Sequence, residues 1–222
     1  MTLTLAIDTS ADVCSAALLG GNEVLAVNSK KLIHGHAVAL IPMICNLAEI
    51  AQVSLSDIGL IGVSIGPGSF TGIRTGIAAA QGFSLVTECP VVGISSFAMV
   101  AADALRKRPS IFNTCPVLCV LETRRQDFFA EVFDHFVRSI VSPCVADKDQ
   151  VIALLKNLRA TLAGNAIQRL NIGARERPFI TDSWPNSEII GELAIQKFSG
   201  PVSSLDQLVP LYLRKESVTR SR

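Results

Sequence analysis

An α/β fold built from two related lobes is the architecture that this 222-residue sequence predicts. Three observations carry it. The order strand-strand-strand-helix-strand-helix can be read twice along the chain, and repetition at that scale organises a whole fold. Two stretches share a local phrase: "AIDTSADVCSAAL" and "VLETRRQDFFAEVF" both run strand, acid, Thr, polar turn, strand, so Asp8-Thr9 and Glu122-Thr123 occupy matching places. Apolar residues make up 49% and charged residues 18%, enough to bury a sizeable core and too apolar for a disordered chain.

The first lobe, 1–107, opens with strands at 3–8 ("LTLAID"), 13–19 ("VCSAALL") and 23–28 ("EVLAVN"). The short turns "TSAD" and "GGN" join them as an antiparallel meander. A helix follows at 36–52, with apolar residues at 37, 40, 41, 44, 47, 48 and 51 on one stripe. Pro42 lies in its second turn, which is tolerable only close to a helix start. "DIGLIGVSI" (57–65) is a continuous apolar strand of the kind buried in a parallel sheet. Next come the glycine-rich segment "IGPGSFTGIRTG" (65–76), a helix over 70–87, the strand "PVVGI" and a helix over 96–107. Pro109 and Pro116 mark the boundary.

The second lobe, 108–222, restarts the pattern with strands at 116–122, 127–135 and 138–146. A helix with an acidic start covers 147–160, "TLAG" is a short strand, and a helix over 186–200 closes at Gly200. This lobe is short of helix, so it is a reduced copy of the first.

Composition excludes several functions. The net charge is +1, without the basic excess of a protein that grips nucleic acid by itself. The tail "LRKESVTRSR", with Arg214, Lys215, Arg220 and Arg222, reads as a solvated terminus or a minor nucleic-acid contact. Apolar stretches break before the ~20 residues of a membrane helix, and "MTLTLAIDTS" lacks the basic start of a signal peptide, so the expected location is the cytoplasm. Six scattered cysteines without a C-x-x-C read as buried, reduced thiols. His34-Gly35-His36 is a poor metal pair, because helical positions i and i+2 point apart, and no third ligand accompanies it.

The glycine-rich segment fails three templates. Thr71 and Ile73 stand where a P-loop needs its second glycine. Thr71 also replaces the last glycine of a dinucleotide fingerprint. Pro67 and Thr71 flank Ser69 where a nucleophile elbow needs glycines. What remains is a strand, a tight turn and a helix N-terminus, capped by Ser69 or Thr71, with free N–H groups. Glycine within a helix costs about 1 kcal/mol relative to alanine, so Gly72, Gly76 and Gly82 point to close approach of another backbone.

Two facing βββαβα lobes resemble the actin-like ATPase (ASKHA) architecture, in which a nucleotide lies in the cleft. "AIDTS", the first-helix "H…IP", "GPGSFTGIRTGIAAAQG", "VVGISSF", "LETRR" and "PLYLR" together resemble the TsaB (YeaZ) family over nearly the whole chain. The resemblance implies a non-catalytic scaffold that binds and activates the related TsaD, the threonylcarbamoyltransferase that modifies ANN-decoding tRNAs. A TsaE-like ATPase joins the complex, tRNA is met indirectly, and the chain alone forms a homodimer. The docking helices would be 36–52 and 70–87. The expected interface residues are His36, Leu40, Ile44 and Leu47, then Thr71, Arg74, Thr75, Ala78, Ala79 and Gly82. On this reading Gly76→Leu or Ala79→Arg breaks docking and leaves the fold mostly intact.

No catalytic residue, metal or required cofactor is expected. Weak nucleotide binding, at Asp8, Thr9, Ser10, Gly164 and Asn165 or at the partner interface, stays open. The sequence departs from ATP-holding relatives there: "DTSADV" has no glycine, Ala166 replaces a glycine in "LAGNAI", and "ETR" replaces D-A-R. The alternatives are a nucleotide-dependent phosphotransferase or ATPase using Asp8, or an inactive peptidase-like relative. His34, His36 and His135 sit in no recognisable catalytic phrase, and Asp8 also reads as a structural turn acid.

Overall fold

A computed structural model describes residues 2–107, 115–123, 125–172, 179–180, 186–198 and 208–214. Strands β1 (Leu3–Ala11), β2 (Val13–Gly20) and β3 (Glu23–Lys31) form an antiparallel meander. Strands β4 (Ile58–Gly66) and β5 (Val91–Ser95) add in parallel beside β1, giving the order β3-β2-β1-β4-β5. The second sheet is made of β6 (Val117–Glu122), β7 (Phe128–Phe133), β8 (Ser139–Ala146), β9 (Thr161–Ala163) and β10 (Phe179–Ile180). Its order, β10-β9-β6-β7-β8, is the first order with each strand replaced by its counterpart, and the parallel and antiparallel pairings repeat as well. The duplication read from sequence therefore holds in the strand topology.

The helices are α1 (His36–Ala51), α2 (Phe70–Thr87), α3 (Ser96–Lys107), α4 (Lys148–Asn157), the single turn α5 (Ile167–Leu170) and α6 (Ser187–Lys197). The acidic start of α4 is a capping box. Asp147 accepts from the Gln150 backbone N–H, and the Gln150 side chain accepts from that of Asp147. α5 and β10 were not expected; elements of four and two residues carry too little periodicity to register in a sequence. β1 and β3 each extend beyond the expected spans, because β2 continues its ladder to Ala11 and Lys31. Pro109, Arg124, Gly200, Lys215, Arg220 and Arg222 lie outside the described residues.

Three apolar clusters stack through the molecule. The outer face of the first sheet packs on α1 and α2. The facing sides of both sheets close over α3 and α6. The outer face of the second sheet packs on α4 and α5. The middle layer is exchanged: α3 follows the first sheet in sequence and touches β4 and β5 but packs chiefly on the second sheet, above all β6, while α6 follows the second sheet and packs on β1, β2 and β4. The two halves are thus joined by buried helix faces, with a cleft left at one end.

Candidate functional site: an apolar helix trough beside an inter-sheet cleft

The glycine-rich segment sets the start of α2. Its N-cap is Ser69, whose hydroxyl accepts from the Gly72 N–H at 3.3 Å. Ser69 N donates to Ser10 O at 2.7 Å, and Thr9 Oγ1 donates to Gly72 O at 2.7 Å. A Cβ on Gly72 would lie 2.0 Å from Thr9 O, and one on Gly76 would lie 2.6 Å from Thr9 Oγ1. What these glycines admit is therefore the end of β1 in the same chain, the Thr9 backbone at Gly72 and the Thr9 hydroxyl at Gly76, not a neighbouring helix or a partner. Gly82 differs: a Cβ there meets nothing within 4 Å. The expectation for Gly76→Leu is corrected accordingly, since Gly76 is buried and the substitution strikes the fold.

The residues expected around a nucleotide separate into two groups. Asp8 and Thr9 are buried beneath the β1–β2 turn. Asp8 Oδ1 accepts from Ser10 N at 2.9 Å and from Ser10 Oγ at 2.7 Å, and burial pushes its pKa up. That is the turn acid of the structural reading. Gly164, at φ 119, packs against Val120 O, where a Cβ would lie 2.2 Å away. Ser10 and Asn165 do line a cleft of about 550 Å³ between the sheets, with Lys31, Ser69, Glu122 and Arg125. The Asn165 amide oxygen accepts from Glu122 N at 2.9 Å.

The β6–β7 turn, counterpart of the β1–β2 turn, is held by cations instead of glycines. Arg169 donates to Thr123 O at 2.9 Å and to Arg125 O at 2.6 Å. Thr123 Oγ1 donates to Asp127 Oδ1 at 2.6 Å, and Arg214 pairs with the other carboxylate oxygen. Partial burial works to raise the Asp127 pKa, but the bonds from Thr123 and Arg214 and the Arg214 charge outweigh it and hold it low.

The α1 residues expected at a partner interface point elsewhere. Ile44 and Leu47 are fully buried against the first sheet, and Leu40 reaches outward only as the floor of a groove. A fully buried side chain of this size contributes about 1.5–3 kcal/mol to folding, which is why the strongest apolar stripe faces the core. His36 is also buried; its Nε2 lies 3.0 Å from Ala11 O, and because a carbonyl only accepts, that nitrogen carries the proton. His36 ties α1 to the β1–β2 turn, whereas His34 is exposed, so the pair does not converge. The thiols are corrected in part. Cys14, Cys89 and Cys119 are buried, Cys115 and Cys144 are half-buried, and Cys45 is exposed on α1. Burial, then the Asp8 charge, pushes Cys14 up to about 11, so it is no thiolate at neutral pH.

The outward residues of α2 are the expected ones. Thr71, Arg74, Ala78 and Gly82 are exposed, and Thr75 and Ala79 are half-buried. Across from them α1 presents Ala37 and Ile41. Two adjoining hollows of about 560 and 510 Å³ share Ile41, Ala78 and Ala79, forming one apolar trough between the helices. Val86 lines it at 83% exposure, and Val38 at 80% and Leu85 at 72% stand exposed on the same two helices. These were missed. Their signal was present as apolar residues in helical segments but off the core stripe. An apolar patch of this kind marks a surface meant to be covered.

Matching five-stranded sheets with exchanged middle helices define the actin-like ATPase (ASKHA) class of fold. The activator of the 2-hydroxyisocaproyl-CoA dehydratase from Clostridium difficile superposes with a TM-score of 0.54 at 11% identity, over 91% of this chain and all of that one, a likeness of fold alone. The family model "TsaD: tRNA N6-adenosine threonylcarbamoyltransferase" matches residues 27–171. The chain belongs to that family and, by its similarity along nearly its whole length to TsaB (YeaZ) proteins, to the TsaB group within it. The tRNA threonylcarbamoyladenosine biosynthesis protein TsaB of Buchnera aphidicola is 28% identical over 95% of this chain and 97% of its own length. That of Haemophilus influenzae is 29% identical over 96% and 93%. YeaZ from Pseudomonas aeruginosa superposes with a TM-score of 0.80 at 26% identity, over 96% of this chain and all of that one. Among the described residues no helix is long and apolar enough to cross a membrane.

Proposed function

We propose that this chain takes part in tRNA threonylcarbamoyladenosine biosynthesis as a non-catalytic subunit that docks on, and activates, a TsaD-like threonylcarbamoyltransferase. The single observation behind this reading is the apolar trough between α1 and α2, rimmed by exposed Ile41 and Val86. Covering that surface releases ordered water along two helices, which is the driving force of helix-bundle association. The names carried by its TsaB relatives agree with the pathway. A TsaE-like ATPase completes the assembly, tRNA is reached through the complex, and self-association through the same trough is the expected behaviour of the isolated chain.

A nucleotide-dependent enzyme is the second reading, favoured by the cleft between the sheets. Against it stands Asp8, whose carboxylate is buried in the Ser10 turn and not presented to the cleft. An omission assay separates the two. Cognate TsaD-like and TsaE-like subunits, ATP, threonylcarbamoyl adenylate and tRNA are mixed with this chain, without it, or with Ala79→Arg. Modified tRNA is expected only with the unaltered chain, and a drop of about tenfold or more with Ala79→Arg, since a charge is placed in an apolar contact. Equal product without the chain overturns the proposal.

A further inference from the structure

One end of the trough carries a charged side chain held by an unusual set of contacts. Among the described residues Arg74 is the one charged residue lining the trough, and no acidic side chain lines it. Its guanidinium carbon lies 3.7 Å from the centroid of the Phe70 ring, one helical turn earlier on α2. Its Nε donates to the Tyr212 hydroxyl at 3.0 Å, and Tyr212 stacks on Phe70 with ring centroids 5.3 Å apart and planes 30° apart. Tyr212 is itself fixed. Its segment, 208–214, buries Leu208 in the cluster beneath α1 and α2, and Leu211 N donates to Ile65 O at 2.8 Å. Beyond Tyr212, Arg214 pairs with Asp127 on the β6–β7 turn.

This arrangement leaves a specific chemistry free. With Nε engaged by Tyr212, the two terminal nitrogens of Arg74 donate to no group among the described residues, and the side chain is exposed. A guanidinium presents its donors as a rigid fork that matches a carboxylate. A long side chain clamped before binding also loses less rotamer freedom on binding. We propose that segment 208–214 preorganises Arg74 as a carboxylate-binding anchor at the Phe70 end of the trough. The occupant is then a helix of the catalytic subunit that carries an Asp or Glu beside its apolar stripe. This rests on the docking reading above. It adds the charge that sets the register of the two helices, and it gives the distant "PLYLR" segment a part in recognition.

The test measures the dissociation constant for the cognate TsaD-like subunit over a range of sodium chloride concentrations. The variants are Arg74→Gln, Arg74→Lys, Tyr212→Phe and Ala79→Arg, with the thermal midpoint of each recorded. Arg74→Gln is expected to weaken binding about tenfold and to flatten its salt dependence, with an unchanged midpoint. Arg74→Lys should recover little, because an ammonium lacks the fork, and Tyr212→Phe, which keeps the ring and removes the hydroxyl, should cost about threefold. If Ala79→Arg abolishes binding but both Arg74 variants bind as the unaltered chain at every salt concentration, the anchor is wrong and the docking surface stands. If Ala79→Arg also binds normally, the docking reading falls and the anchor with it. If the isolated chain is a dimer that Arg74→Gln dissociates while TsaD binding is unaffected, the carboxylate belongs to a second copy of this chain, and the assignment is overturned.

Discussion

The inner and outer faces of the α1/α2 layer are built from the same residue types and serve different ends. On the inner face, small residues let α2 press on the end of β1, where Gly72 and Gly76 meet Thr9, and large aliphatics such as Leu40, Ile44 and Leu47 fill the space over β2 and β3. On the outer face, small residues at Ala78, Ala79 and Gly82 leave a hollow, with aliphatics standing unburied around it. Inside, glycine is required by contact with the same chain. Outside, it leaves room. Glycine and apolar content therefore mean packing in one register of a helix and vacancy in the next, and substitutions on the two faces should separate stability from binding.

The largest effect is expected at Gly72. A Cβ placed 2.0 Å from Thr9 O cannot be relieved by a rotamer change, because the obstacle is backbone. Gly72→Val should lose at least about 4 kcal/mol, the range reached only by severe overpacking or strain, and should give little folded protein by circular dichroism. Leu47→Ala on α1 comes next, at about 2–5 kcal/mol for a buried leucine. Ile50→Ala, one turn on but exposed, should stay within about 0.5 kcal/mol in urea denaturation. Equal losses at Leu47 and Ile50 would mean that both faces of α1 are core, and the distinction would collapse. Gly82→Ala should raise stability by about 0.5–1 kcal/mol, since nothing opposes the added methyl and helical glycine is intrinsically unfavourable.

The two faces also explain what could be read in the sequence. The strand order and the α2 boundaries follow from periodicity, turn residues and the Ser69 cap, all local signals. The duplicated strand-acid-Thr phrase carried the repeat, and the structure returns it as an identical sheet order. The α1 interface residues failed because periodicity identifies the strongest apolar stripe, and that stripe faces the sheet. The docking face lies in the remainder, with Ile41 and Val38, legible only as apolar content in excess of what one stripe needs. The exchange of α3 and α6 between the sheets, and the clamp of Tyr212 on Phe70 and Arg74, are contacts between residues far apart in sequence, where no local pattern marks the partner.

The smallest expected effect lies directly beneath the inner face, at Asp8. Its carboxylate is buried, and one oxygen takes both bonds from Ser10 while the other, Oδ2, has no hydrogen-bond partner within normal distance among the described residues. Burial outweighs the Ser10 bonds, the nearby Ser64 hydroxyl and the His36 charge, which act to lower its pKa. Desolvation raises its folded pKa above the unfolded value near ~3.9, so between those two values the folded state holds more protons than the unfolded one. The sign follows: this group makes stability fall as pH rises from about 4 through the folded pKa, opposite to the usual effect of a paired carboxylate. Asp127 has the usual sense. Its pKa is lowered, so its contribution is present above the unfolded value and lost as pH falls through the folded one. It is half-buried at the surface, as is Arg214, and their pair adds no more than about 1 kcal/mol. Asp8→Asn keeps an oxygen for Ser10 and removes the titration, so urea midpoints measured from pH 4 to pH 8 should flatten relative to the unaltered chain, with the fold retained. A steeper profile in Asp8→Asn would mean that the ionised carboxylate is favoured in the folded state, and that Asp8 faces a cation the turn geometry does not supply.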